Sequence, residues 1–106
     1  MTTHHYPITL HAATIARFQQ DGFVKTPNVL NIQELGRHAR AVDAEVARRT
    51  ATDNRPLSDK STYEQSFIQC MRLWETSADV KALSCHAGLA GMAAQLLGVD
   101  SVRLWQ

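Results

Sequence analysis

With 106 residues, 44% of them hydrophobic and 20% charged, the chain has the size and composition of one small globular domain, which excludes a disordered or fibrous segment. A formal net charge of +1 leaves no global field that would draw it to nucleic acid or to an anionic membrane surface. Cys70 and Cys85 without a CxxC spacing read as small buried apolar thiols in a reducing compartment, and the absence of a leader-like N-terminus or of an apolar run of about 18 residues points to a cytoplasmic protein with no membrane span.

In chain order, LHAATIARFQQDG places Ile15 and Phe18 on one helical face and stops at Gly22, a helix of about three turns. FVKTP follows as a short extended piece, because Phe23 and Val24 favour strand and the residue before Pro27 avoids helix. Asn31 and Glu34 then open a second helix in the manner of a capping box. Ile32, Leu35, Ala39, Val42 and Val46 recur on it as one stripe facing a core. Its other face carries Gln33, Arg37, Arg40 and Arg48, flanked by Asp43 and Glu45, the mixed charge of a solvated surface.

Residues 51–62 read as an exposed loop. Phe67, Cys70, Met71 and Trp74 share the spacing of a third helix that starts near Tyr63 and runs to about Glu75. Thr76 or Ser77 caps a short helix with Val80 and Leu83 inward. AGLAGMAAQLLG gives a last helix with Leu89, Met92, Ala93, Leu96 and Leu97 in a stripe and Gly98 as its stop. Gly88 and Gly91 on that helix indicate close helix packing, since their neighbours are Ala and Leu and a nucleic-acid clamp needs basic residues. Val102 to Gln106 alternate as a strand. Four to five helices with one or two short strands make a mainly helical α+β chain, a single domain over 1–106.

No catalytic set emerges from this pattern. A facial iron triad is announced by His-x-Asp or His-x-Glu, and none of His4, His5, His11, His38 and His86 is followed two residues later by an acid. His4, His5 and His11 would hold a metal only if the N-terminus folded back on itself. Cys85-His86 reads as a structural turn, because adjacent residues point apart and no orienting acid is evident. Asp43 and Glu45, two apart on a helix, face different ways, and no phosphate-binding glycine loop is present. The expectation is that no catalytic, metal-binding or cofactor-binding residue lies on this chain.

Taken in order, however, FQQDGFVKTPNVLNIQEL and LWETSADVKALSCHAGLAGMAAQLLGVDSVRLWQ resemble the opening third of the phytanoyl-CoA dioxygenase-like family of iron(II)- and 2-oxoglutarate-dependent oxygenases. The residues that carry the likeness include Asp21, Gly22, Phe23 and Val24, then Pro27, Val29 and Leu30, then the Leu73-Trp74 pair, and finally Leu96, Leu97 and Gly98 before Val102, Arg103 and Leu104. The correspondence runs from about Ile8 to Gln106 and leaves out the 51–62 loop.

The resemblance implies an incomplete domain: the helical N-terminal segment of a double-stranded β-helix (jelly-roll, cupin-like) oxygenase, with 102–106 as the start of the first barrel strand and the barrel absent. The complete parent would hydroxylate a small organic substrate, using Fe(II) and 2-oxoglutarate held by residues further along. This chain alone would bind neither and be inactive. Trp105 and Gln106 are the only candidates for lining a pocket, and the unpaired terminal strand is open to self-association. The alternative is a self-contained interaction module that binds a partner through the apolar stripe of the 32–46 helix.

Overall fold

The computed structural model describes residues 6–105. Its elements are α1 (Ala12–Asp21), α2 (Ile32–Thr50), one turn of 3-10 helix at Leu57–Asp59, α3 (Thr62–Ser66), α4 (Leu73–Thr76), α5 (Ala78–Ser84) and α6 (Ala87–Leu97). α1 packs on α6, while α2 packs on α5 and α4.

Local chemistry explains the helix ends. Gly22 takes the left-handed conformation at φ 81°, and its N–H reaches Phe18 O at 2.8 Å. Asn31 Oδ1 accepts from Glu34 N at 2.8 Å and opens α2. Ser77 Oγ accepts from Val80 N at 3.2 Å and opens α5. Gly98 closes α6 at φ 70°.

The α+β expectation is overturned, because every regular element among the described residues is helical. Phe23 and Val24 lie in irregular chain, with Phe23 exposed. They meet no second strand among the described residues, Pro27 removes a backbone donor, and Asn28 turns the chain at φ 58°, so a lone extended piece has no ladder to join. Residues 102–105, expected to begin a strand, are likewise outside any strand, and Gln106 lies outside the described residues.

The expected third helix is also broken in two. α3 begins with a capping box on Ser61 and stops at Phe67, which is extended at φ −135° and ψ 137°. The chain resumes helix only after Arg72, a non-glycine residue at φ 54°. A tertiary contact outweighs the helical spacing here. The Arg49 guanidinium of α2 donates to Met71 O, to Arg72 O at 2.9 Å and to Thr76 Oγ1 at 2.7 Å, which holds the chain at the break, and the Arg72 carbonyl also accepts from Glu75 N at 3.0 Å to open α4. The glycines of α6 do serve close packing, but against an extended segment: a Cβ at Gly91 would lie 3.1 Å from the Tyr6 ring. Gln95 pins that segment, accepting from Leu10 N at 2.9 Å and donating to Ile8 O at 2.7 Å.

Only part of the apolar stripe of α2 turns inward: Val42 and Val46 are half-buried, but its first turns face solvent. Ile32 is 88% and Leu35 57% exposed, whereas His38 and Glu45, polar side chains on the inward side, are buried. Glu45 was expected on a solvated flank. Instead it accepts from Arg48 and, at 2.6 Å, from Thr76 Oγ1, with the Arg49 Nε 3.5 Å away. Hydrogen bonds from Arg48 and then Thr76 pull its carboxyl down to about 2, against desolvation that would raise it. In the 51–62 loop Arg55 similarly draws Asp53 down to about 2 and also pairs with Glu64.

A carboxylate lowered in the folded state stabilises the fold above its ordinary range and loses that contribution as pH falls through the lowered value. Melting temperature is therefore expected to drop on acidification from about 4.5 toward about 2, the interval spanned by Glu45. Glu45→Gln should shallow this decline and Glu45→Gln with Asp53→Asn should shallow it further; an unchanged pH profile in both variants would refute the assignment.

Candidate functional site

Of the two residues singled out for a pocket, Gln106 lies outside the described residues. Trp105 is 88% exposed. A cavity of about 370 Å³ beside it is lined by Val102, Arg103 and Leu104 with Cys85 and Leu89, but not by Trp105. A second cavity, of about 470 Å³, lies between Arg49, Arg55, Lys60, Tyr63, Phe67 and Met71. Its cations are engaged: Arg55 with Asp53 and Glu64, Lys60 with Asp53 at 4.0 Å, and Arg49 with backbone carbonyls.

The side chains that do converge are Glu34, His38 and His86. One ligand atom from each lies within 4.8 Å of the others. Glu34 and His38 stand four apart on α2 and so share a face. His86 arrives from the junction of α5 and α6, carried there by the packing of α5 on α2. The His38 and His86 rings meet edge to face at a centroid distance of 6.2 Å and an interplanar angle of 79°.

Each group is held differently. Glu34 Oε1 accepts from Asn31 Nδ2 at 2.9 Å, so the capping residue of α2 also orients the carboxylate. Glu34 Oε2 then faces His86 Nε2 at 3.3 Å. His86 is the N-cap of α6, and its Nδ1 accepts from Gly88 N at 3.0 Å and Leu89 N at 3.3 Å. With Nδ1 an acceptor, the hydrogen of the neutral ring sits on Nε2 and is donated to Glu34. His38 is 4% exposed, yet its Nε2 finds no hydrogen-bond partner among the described residues.

Of the other histidines, His11 precedes α1 without capping it, and His4 and His5 lie outside the described residues. Cys85 and His86 link α5 to α6, and the expectation of buried cysteines is corrected: Cys85 is an exposed free thiol and Cys70 is half-buried. The cluster escapes a reading of the sequence because Glu34 and His86 are 52 positions apart and a His-x-acid search looks only at adjacent strand positions. The legible half is the Glu-x-x-x-His spacing on a helix. No family model, curated protein or solved structure matches the chain. No helix among the described residues is long and apolar enough to cross a membrane.

The cap makes His86 testable on its own. His86→Ala leaves two amides at the start of α6 without their acceptor and is expected to lower stability by about 0.5–2 kcal/mol. His86→Asn, which restores a capping oxygen, should recover most of that loss in chemical denaturation; equal destabilisation by both would show that the cap contributes nothing.

Proposed function

We propose that the chain acts as a helical covering layer, the N-terminal part of an iron(II)- and 2-oxoglutarate-dependent dioxygenase. Its apolar faces lie against the body that carries the chemistry. The observation behind this reading is how little the chain buries by itself. Val80, Met92 and Ala94 are the only buried hydrophobic side chains among the described residues, while Ile32, Leu35, Phe67, Ile68 and Trp105 stand exposed. A chain of this length packed into one core has a radius of gyration of about 13 Å. This one measures 17.9 Å, with extents of 58 × 28 × 25 Å. Exposed apolar surface on that scale is surface that a second body covers.

The order of motifs from Asp21 to Leu104, which resembles the opening third of that oxygenase family, supports this choice of body. In this reading the small organic substrate, Fe(II) and 2-oxoglutarate are bound by residues outside the chain. Its contribution is packing surface. A second reading, an independent module that docks a partner through the α2 stripe, is favoured by the exposure of Ile32 and Leu35 in particular.

The purified chain is expected to bind an apolar dye and to self-associate with rising concentration. Ile32→Asp with Leu35→Asp should reduce both while leaving helical circular dichroism unchanged. With Fe(II), 2-oxoglutarate and oxygen it should form no succinate, and stoichiometric succinate would overturn the assignment of the chemistry elsewhere. A partner retained by the chain but not by the double variant supports the first reading if it turns over 2-oxoglutarate and the second if it does not.

A further inference from the structure

We infer that Glu34, His38 and His86 form a binding site for one divalent transition-metal ion of the zinc class. Two imidazoles and one carboxylate are a borderline donor set, suited to zinc and its neighbours rather than to calcium or magnesium. The three ligand atoms already lie within 4.8 Å of one another, and the Glu34 to His86 edge is 3.3 Å. Tetrahedral zinc with bonds of about 2.0–2.1 Å sets its ligand atoms roughly 3.3–3.4 Å apart, so one edge is at length and the others close by at most about 1.5 Å. Water would take the fourth position.

Two further features go beyond clustering. The His38 Nε2 is buried with no partner among the described residues, although a buried imidazole nitrogen ordinarily has one. Asn31 also holds Glu34 by its other oxygen, the outer-shell support that orients a ligating carboxylate. The Glu34 and His86 side chains retain 30% and 23% of their exposure, which leaves the ion a way in from solvent.

The proton inventory sets how this site behaves. In the ion-free chain the His86 Nε2 carries a hydrogen toward Glu34 and Nδ1 accepts from Gly88 and Leu89. For Nε2 to give its lone pair to a metal, that hydrogen transfers through solvent to Nδ1. The protonated Nδ1 no longer accepts from the two amides, so the ion and the α6 cap compete for one ring. Binding is therefore coupled to the start of α6, independently of whether the chain belongs to an oxygenase.

The test is titration of the 106-residue chain with zinc alone, followed by calorimetry and by amide NMR. One equivalent is expected to bind, with the largest shifts at Gly88 and Leu89. His38→Gln and His86→Asn should each weaken binding by at least roughly tenfold. His86→Asn keeps a cap, so unchanged circular dichroism separates ligand loss from unfolding. No binding by the wild-type chain, or binding that survives both substitutions, would overturn the site. Survival in both with loss on replacing His4, His5 and His11 would assign the ion to the N-terminal histidines instead.

Discussion

The Glu45 carboxylate sits where α2 passes α4, and the second half of the chain is arranged around it. Arg48 and Thr76 hydrogen-bond to it, and Arg49 lies alongside while reaching on to the carbonyls of Met71 and Arg72. Arg72 adopts a left-handed backbone there, its carbonyl also takes the Glu75 N–H, and α4 starts at Leu73 instead of continuing from α3. α5 follows α4 with only Ser77 between them, and its seat on α2 brings His86 back to Glu34. The candidate metal site thus depends on an ion-paired junction in a different part of the same helix.

That dependence follows from how the chain is held. The three buried hydrophobic side chains among the described residues supply little of the burial that normally dominates a domain of this length. Long side chains tied to distant backbone compensate in part, with Gln95 holding residues 8 and 10, Gln19 donating to Leu96 O at 2.8 Å, and Arg49 holding 71 and 72. Each such bond contributes about 0.5–1.5 kcal/mol net. Polar pins fix geometry without removing apolar surface from water, which is why the exposed Ile32 and Leu35 of α2 matter for any account of what the chain does.

Capping chemistry is legible from the residues because it is local: Asn31 with Glu34, Gly22 and Gly98 all behave as their types require. Periodicity is less dependable. On α2 the apolar residues do form a stripe, but Ile32 and Leu35 do not face a core, since spacing tells which residues share a face and not what lies opposite. From Tyr63 to Trp74 the helical spacing is genuine, yet Arg49, at least 22 positions from the carbonyls it captures, decides the backbone there. Strand preference at Phe23 cannot express itself without a partner strand. The candidate site is half legible, the Glu34 and His38 pair being local to one helix and His86 being brought in by the tertiary fold.

His86 carries the most information per residue. As a helix cap it is an unusual choice, because Ser, Thr, Asp or Asn accept from the same amides with a shorter side chain. What an imidazole adds is a second nitrogen on the far side of the ring, and in this structure that nitrogen faces the Glu34 carboxylate. His38, on the same face of α2 as Glu34, presents the opposite anomaly: an imidazole where an apolar side chain would fill the space without a nitrogen that lacks a partner among the described residues, whose burial costs about 1–3 kcal/mol. A cap that could be simpler and a buried ring that could be apolar meet at one carboxylate. In the proposed site, a cation would take up the lone pair that His38 Nε2 leaves without a partner among the described residues and would compete with the α6 cap for His86.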